Sequence, residues 1–252
     1  MTSDKPSLIT AAILIIGDEI LSGRTKDKNI GTIAEHLTTV GITLREVRVV
    51  PDEEPEIIAG LDALRGRYDY VFTSGGIGPT HDDITSDAVA KAFGVPIDID
   101  PRAVAEMLKR YKEEDLTPAR LRMARIPQGA ELVENQISRA PGYMIGNVIV
   151  MAGVPSIMEA MLVNVTPRLR TGAKLHALSI HVAAPEGTIA PPLSEAQAEY
   201  SDVKMGSYPY FSEHKPGVYL VLRGIDQARL AEAADALEAR LDAAGLPHER
   251  RG

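Results

Sequence analysis

The chain of 252 residues contains no cysteine. This absence excludes disulfide bonds, a thiolate nucleophile and any metal site with cysteine ligands. It suits a cytoplasmic protein, which is the location we expect. No apolar run approaches the roughly 20 residues of a membrane-spanning helix, and the polar segment Met1–Ser7 lacks the apolar core of a signal peptide. We therefore expect no membrane partner.

Basic residues are outnumbered, with 27 Lys and Arg against 35 Asp and Glu, and the formal net charge is -8. Because affinity for nucleic acid comes mostly from cationic contacts to phosphate, we expect no nucleic acid as a general partner, although local basic patches remain compatible with this charge. The histidines His176, His181, His214 and His248 are dispersed and show no metal-ligand spacing. A serine-hydrolase elbow, a Walker loop and a GxGxxG fingerprint are also missing from the sequence.

Strand and helix patterns alternate along the first part of the chain. They predict the strand Ala11–Ile16, the helix Asn29–Val40, the strand Ile42–Val50, the helix Pro55–Arg65 and the strand Tyr68–Thr73. This order indicates βαβ units and a mostly parallel sheet. A hairpin signal at Gly146-Asn147, between Tyr143–Ile145 and Val148–Ala152, adds antiparallel pairing.

The remaining patterns complete this domain and predict a second one. We expect the helix Ser86–Phe93, a longer helix from Pro101, a helical segment Pro118–Met123 and the helix Ile157–Val165. A small α+β domain follows, with the strand Leu175–Ala183, the helix Leu193–Tyr200, the strands Val203–Tyr210 and Val218–Arg223 and the helix Gln227–Ala244. The predicted domains span residues 8–170 and 175–246. The aromatic run Tyr208–Phe211 is predicted to be core of the second domain or an oligomer contact, rather than a stacking platform.

The most informative segment is Ser74–Thr85, which lies between a predicted strand and a predicted helix. Its glycines allow a close backbone approach to a ligand, a helix start can hold phosphate, and the pair Asp82-Asp83 can hold a divalent cation. In open α/β sheets, ligands bind beyond the carboxyl ends of the strands. We therefore expect three other segments to meet this loop. They are Gly17–Asn29, Asp52 and Gly153–Ser156.

Several of these residues also have a purely structural interpretation. Taken alone, Asn29 is more typical of a helix N-cap, and His81 of a loop histidine that neither binds metal nor transfers protons. Asp82 is compatible with a turn residue whose carboxylate satisfies local N–H groups. The glycines Gly75 and Gly76 are compatible with a simple chain reversal at the end of a strand.

Four motifs in this order resemble the molybdopterin-binding (MoaB/Mog-like) domain family, and most closely the amino-terminal region of competence/damage-inducible protein A (CinA). They are Gly17–Gly23, the spaced Asn29, Gly75–Thr85 and Ala152–Ser156, within a similarity that covers Leu8–Arg170. The resemblance implies a three-layer α/β/α fold with a mixed, mainly parallel sheet, and a homo-oligomer such as a dimer or trimer. The carboxy-terminal deamidase domain of full-length CinA is not expected, because the chain ends at Gly252.

The resemblance also implies alternative functions. The CinA branch is linked to metal-dependent hydrolysis of ADP-ribose-type pyrophosphates, and the similar region of FAD synthase to hydrolysis of FAD. Other members of the family bind molybdopterin or adenylylate it during molybdenum cofactor synthesis. Asp18 and His81 stand where CinA proteins commonly have Thr and Lys, which makes this chain look more like the FAD synthase region.

Our first hypothesis is a metal-dependent pyrophosphatase acting on a phosphorylated nucleotide, with non-catalytic pterin binding and adenylyl transfer as alternatives. We predict Asp18, Glu19 and Asp83 as metal ligands and Asp52, Asp82 and Asp83 as catalytic residues. Oxygen ligands favour Mg²⁺, Mn²⁺ or another divalent cation such as Co²⁺. Contacts to a nucleotide or to molybdopterin are predicted for Gly17, Asn29, Ser74, Gly75, Gly76, Gly78, Pro79, Thr80, Gly153, Pro155 and Ser156.

Overall fold

A computed structural model describes residues 8–212 and 215–251. It divides into two compact units, Met1–Gly172 and Ala173–Gly252. Each unit has its own buried apolar core. His214 lies outside the described residues. None of the helices in the described part of the chain is long and apolar enough to cross a membrane.

Residues 8–172 contain eight strands. They are β1 (Ile9–Ile16), β2 (Ile42–Val50), β3 (Tyr70–Ser74), β4 (Ile97–Ile99), β5 (Arg125–Pro127), β6 (Glu131–Val133), β7 (Gly142–Ile145) and β8 (Val148–Met151). Six of them form one sheet in the order β2-β1-β3-β8-β7-β6, and β4 pairs with β5 separately. The β1–β2, β1–β3 and β3–β8 pairs are parallel, whereas β8–β7 and β7–β6 are antiparallel. The sheet is therefore mixed and mainly parallel, as the sequence predicted.

Helices cover both faces of this sheet. They are α1 (Asp18–Leu21), α2 (Asn29–Thr39), α3 (Glu54–Arg65), α4 (Thr85–Phe93), α5 (Pro101–Met107), α6 (Pro118–Leu121) and α7 (Pro155–Val165). Alternate residues of β1 explain the three layers. Ala12, Leu14 and Ile16 belong to a core with α3, α4 and α5. Ala11, Ile13 and Ile15 belong to a second core with α2 and α7. A strand buried on both faces reads as one continuous apolar run.

Several element boundaries differ from the prediction, each for a local reason. The predicted loop after β1 contains the short helix α1. Strand β3 begins at Tyr70, because the two residues before it are bonded elsewhere. The Asn147 side chain donates to the Tyr68 carbonyl at 3.0 Å, and Thr10 donates from its N–H and from its hydroxyl to the Asp69 carboxylate. Helix α5 is short rather than long, since its last turn tightens after Met107 into bonds such as Arg110 N–H to the Met107 carbonyl.

In the described part of the second unit, four strands and two helices follow a βαββαβ order. They are β9 (His176–Val182), α8 (Glu186–Glu199), β10 (Lys204–Ser212), β11 (Lys215–Gly224), α9 (Gln227–Ala243) and β12 (His248–Arg251). The strands form an antiparallel sheet in the order β10-β11-β9-β12. This confirms a small α+β unit. Strand β12 was not predicted, and α8 begins seven residues before the predicted Leu193.

Candidate functional site

The loop after β3 is held tightly against the end of β1. Gly75 has φ 113°, and a Cβ atom there would lie 2.0 Å from the Ile16 carbonyl oxygen. Gly76 has φ 67°, and its Cβ would lie 2.1 Å from Thr85 Oγ1. Thr85 in turn donates from its N–H to the Gly76 carbonyl and from Oγ1 to the Gly75 carbonyl, both at 3.0 Å. A side chain at Gly75 would push the loop away from the end of β1, and a side chain at Gly76 would collide with the Thr85 hydroxyl.

Asn29 joins two of the predicted loops. Its side-chain amide donates to Ser74 Oγ and to the Gly153 carbonyl, both at 2.8 Å. The side chain is buried, and its Oδ1 has no hydrogen-bond partner among the described residues. Asn29 is not the N-cap that its type suggested, because Lys28 occupies that position. The residue therefore fixes the end of β3 against the start of α7.

Asp83 is engaged within its own loop. Its Oδ2 accepts hydrogen bonds from Thr80 N–H at 2.8 Å and from Thr80 Oγ1 at 2.6 Å. Arg122 donates to the carbonyls of both residues, at 3.1 Å for Thr80 and 3.2 Å for Asp83. In this arrangement Asp83 shapes the glycine loop, and only its Oδ1 is left for a ligand. Its neighbour His81 has a side chain that is 99% exposed.

Four acidic side chains gather beyond the ends of β1 and β2. Asp52 accepts a hydrogen bond from Asp18 N–H at 3.0 Å. Burial raises the pKa of Asp52 above its usual range, while the bond from Asp18 lowers it. The negative charges of Asp18, Glu19 and Asp82 raise this pKa further. We call Asp18, Glu19, Asp52 and Asp82 the acidic group. A cation bound beside them would offset the three negative charges that act on Asp52.

A cavity of about 440 Å³ opens between the glycine loop and the start of α7. The predicted site residues that line it are Glu19, Gly75, Gly76, Gly78, Pro79, Asp83 and Gly153. Gly153 brings the two loops together, because a Cβ atom on it would lie 3.4 Å from Gly75 Cα. The cavity lining does not include Gly17, Asp18, Asn29, Asp52, Ser74, Thr80, Asp82, Pro155 or Ser156. Among them, Asn29 and Thr80 support the wall through hydrogen bonds with Gly153 and Asp83.

The remaining lining residues were not predicted as site residues. Three of them, Ile77, Ala152 and Val154, lie within the sequence motifs, and the rest of the wall consists of Met123, Ser138, Ala140, Ile157 and Met161. Ser138 and Ala140 belong to a loop that the buried Asn135 holds in place: its Oδ1 accepts from Ser138 N–H at 2.7 Å, and its Nδ2 donates to the Ala140 carbonyl at 2.6 Å. Between them Arg139 adopts φ 61°. The only sequence signal for this wall was an asparagine in a polar loop, which is too common to identify a site.

The acidic group and Asp83 do not form a preformed metal cage. Among the described residues, no three His, Asp or Glu side chains lie close enough together to hold an ion. Their chemistry nevertheless fits a hard cation, since all the donors are carboxylates. Mg²⁺ is commonly bound through one or two carboxylates and completed by substrate phosphates and water.

The fold agrees with comparisons to known proteins. Residues 12–171 match a family model described as a probable molybdopterin binding domain. The chain belongs to this family. Residues 174–249 match a second model, described as the middle domain of FAD synthase. The MoaB/Mog-like and CinA-like resemblance noted in the sequence is thereby confirmed for the first unit.

Relatives span both units. A protein from Archaeoglobus fulgidus is 31% identical over 231 residues, which are 91% of this chain and 97% of that protein. A protein from Aeropyrum pernix is 36% identical over 245 residues, or 90% of this chain and 91% of its own. A crystal structure is known for the protein CinA from Thermoplasma acidophilum, whose function is described as unknown. The two sequences are 39% identical, and the structures align with a TM-score of 0.60 over 64% of this chain and 99% of the CinA chain.

Proposed function

We propose that the protein is a divalent-metal-dependent pyrophosphatase that cleaves a nucleotide diphosphate such as ADP-ribose or FAD. The observation that carries this proposal is the acidic group beside a glycine-walled cavity, in which Asp52 is half-buried among three other carboxylates. A site with this charge needs a cation, and a pyrophosphate brings oxygen ligands for that cation. The match of the second unit to the middle domain of FAD synthase supports FAD as one of the substrates to test.

The cavity has the size and chemistry for such a ligand. Its volume of about 440 Å³ lies within the range of small-molecule sites, roughly 300–1,000 Å³. Met123, Ile157 and Met161 offer an apolar surface to a planar ring. Gly75 and Gly76 present backbone without side chains on the facing wall, and this lets phosphate oxygens approach.

We assign separate roles to the acidic residues. Glu19, which lines the cavity, and the exposed Asp18 would hold the cation together with the phosphates. A bound divalent cation neutralises phosphoryl charge and lowers the pKa of bound water. Asp52 would orient the attacking water as an acceptor, held in place by Asp18 N–H. Asp83 keeps the glycine loop in shape through Thr80, and its free Oδ1 remains a further candidate ligand.

The test is a substrate panel. The protein is incubated with ADP-ribose, FAD or NADH, each with Mg²⁺, Mn²⁺ or Co²⁺, and AMP release is followed by chromatography. We expect AMP from at least one combination, and none after chelation of the metal.

Asp52→Asn should lower the rate at least about 100-fold, within the usual range for loss of a general base. The matched control is Glu56→Gln, an exposed carboxylate on α3, which should keep the wild-type rate. No AMP under any condition contradicts the proposal.

A second candidate is binding of a phosphorylated pterin such as molybdopterin without catalysis. It is favoured by Asp83, because its carboxylate is already occupied by Thr80 and supports the loop rather than a reaction. Calorimetry with molybdopterin and fluorescence of co-purifying pterin test it. Binding of molybdopterin without AMP release in the substrate panel selects this candidate. If molybdopterin binds without ATP and is converted to an adenylylated product when ATP is added, adenylyl transfer is selected instead.

We also propose a homo-oligomer, either a dimer or a trimer. Besides the family resemblance, α7 supports it by exposing apolar side chains: Val154 at its start is 54% exposed and Val163 is 59% exposed. Light scattering on the full chain should give twice or three times the 27.1 kDa of one chain. A monomeric mass contradicts this proposal.

A further inference from the structure

The sheet of the second unit has one face that its own helices do not use. The buried residues of α8 and α9 form a single core with alternate residues of the central strands β9 and β11: Ile180, Val182, Leu220 and Leu222. Because successive side chains on a strand point to opposite faces, the residues between them point away from that core. His181 on β9 and Tyr219 on β11 are two of these residues, and they lie directly across from one another.

Aromatic rings cover this second face. The ring centroids of His181 and Tyr219 are 5.3 Å apart, and those of Tyr210 and Tyr219 are 4.8 Å apart. Tyr210 lies over the opposite Gly217, where a Cβ atom would come within 2.3 Å of the Tyr210 hydroxyl. All three rings are partly exposed. We call His181, Tyr208, Tyr210, Tyr219 and Arg223 the aromatic face.

The two tyrosines of the run Tyr208–Phe211, Tyr208 and Tyr210, are not part of the core of this unit. Tyr208 is 46% exposed. Arg223 donates to the Tyr208 hydroxyl at 3.0 Å and places its guanidinium 5.7 Å from the ring centroid. Tyr210 is likewise outside the buried core of this unit. The expectation of a core segment is therefore wrong for these two tyrosines, because they fall on the strand positions that point away from the helices. The side chain of Phe211 lies outside the described part of the chain.

Charge is segregated in the same direction as the rings. Helix α8 carries three glutamates and no basic residue. Among the described side chains, the strands of this unit carry four Lys or Arg residues and one acidic residue. The basic residues are Lys204, Arg223, Arg250 and Arg251, and the acidic residue is Glu249. Arg250 turns towards α9 and pairs with Asp235 and Glu238. Lys204 lies opposite Arg223 on the face of the rings. Glu249, which lies opposite His181, and its ion-pair partner Arg251 are also on the face of the rings. An acidic helical side thus opposes a sheet side on which Lys204, Arg223 and Arg251 outnumber Glu249.

We propose that the aromatic face binds single-stranded nucleic acid. Unpaired bases would stack on Tyr219 and His181, and the phosphates would meet Arg223 and Lys204. In one type of RNA-binding domain, a four-stranded sheet binds single-stranded RNA by stacking two or three bases on its aromatic side chains. Stacking platforms combined with cationic side chains tolerate many sequences. The net charge of -8 argued against nucleic acid as a general partner, but the charges of this unit are not evenly distributed.

The test uses the full chain and a fluorescent single-stranded RNA of about 12 nucleotides, within known site sizes. Fluorescence anisotropy at low salt should show saturable binding that weakens as salt is raised. Tyr219→Ala and His181→Ala should each weaken the affinity about tenfold. Tyr219→Leu, which keeps an apolar side chain on the strand, should weaken it similarly and serves if the alanine variant does not fold.

A charge pair provides the matched control. Arg223→Gln on the sheet should weaken binding several-fold, whereas Arg240→Gln, on α9, makes the same charge change on the helical side and should leave it within about twofold. The proposal is overturned by any of three results: no binding at low salt, equal affinity in Tyr219→Ala and wild type, or displacement of the RNA by AMP alone at equal nucleotide concentration. Loss of oligomer mass in Tyr219→Ala without RNA binding would assign the face to a second copy instead.

Discussion

Asn29 shows how much of the site depends on single side chains. Its type and position predicted a ligand contact or a helix cap. The structure instead gives it two hydrogen bonds to residues 45 and 124 positions away. No local pattern contains such partners, so the sequence could mark the residue but not its role. The amide works as a clamp between two loops.

Replacing this clamp should cost stability. Asn29→Ala leaves Ser74 and the Gly153 carbonyl without their donor, and we expect the free energy of unfolding to fall by about 1–3 kcal/mol. Urea denaturation measures the change. The control on the same helix is Glu35→Gln, an exposed substitution that should stay within roughly 0.5 kcal/mol of wild type. An Asn29→Ala variant as stable as this control contradicts the clamp.

Asp52 predicts a pH effect with a defined sign. Its pKa in the folded protein is raised above the 3.8 of the unfolded chain, so between the unfolded and folded pKa values the folded state binds more protons. The contribution of Asp52 to stability therefore falls as pH rises through this window. Asp52→Asn keeps an oxygen acceptor for Asp18 N–H and should stabilise the protein near neutral pH by roughly a few tenths of a kcal/mol.

Thermal unfolding of wild type and Asp52→Asn across the acidic range measures this effect. The difference between the two proteins should vanish below the window, grow through it and stay constant above it. Mg²⁺ with a phosphorylated ligand should raise the unfolding temperature of wild type more than that of the variant. A variant that is less stable than wild type at neutral pH contradicts the raised pKa of Asp52.

Among the elements, those with a strong pattern were predictable and those without one were not. Strand β1 is a continuous apolar run because both of its faces are buried. Helix α8 was placed too late, because Pro191 and Pro192 lie inside it and normally mark a helix start. Strand β12 is entirely polar, and it is held by backbone pairing to β9 rather than by apolar side chains. Backbone pairing leaves no periodic signal.

The loop between β3 and α4 should tolerate no side chain at Gly75. Gly75→Ala places a Cβ 2.0 Å from the Ile16 carbonyl in a backbone conformation with φ 113°, so we expect a loss of at least about 3 kcal/mol. Gly31→Ala is the matched control. Gly31 is in α2 and has open space where a methyl group would point, so alanine there should stabilise the helix by about 1 kcal/mol. Chemical denaturation should show that Gly75→Ala lowers the free energy of unfolding and that Gly31→Ala raises it. A small loss of stability in Gly75→Ala would contradict the close approach to Ile16.

For the molecule as a whole, the distribution of the buried clusters predicts two folding units. Residues 8–172 and 173–251, expressed separately, should each unfold cooperatively, because none of the described buried clusters contains residues of both units. The ligand of the glycine-walled cavity should raise the unfolding temperature of the first fragment only, since the whole lining belongs to it. Calorimetry of the two fragments decides this. A first fragment that fails to fold alone contradicts the division.

One wall of the cavity could be predicted from the sequence, and the other could not. The glycine wall was predictable because Gly75, Gly76 and Gly78 stand between a clear strand and a clear helix. The apolar wall was not, because Met123, Ser138 and Met161 come from three distant segments that only tertiary packing brings together. Family membership strengthens the case for a phosphorylated ligand, but the wall that would contact its ring became visible only in the folded chain.

The clamp between Asn29 and Gly153 has a consequence for folding kinetics. It links segments 124 residues apart in the chain, and such distant contacts are slow to form because a long loop must close first. We expect the pairing of β8 with β3 to precede it, because this pairing places Met151 beside Ser74. During refolding, secondary structure should therefore return before the cavity is complete, and recovery of ligand binding should report the last step rather than the first.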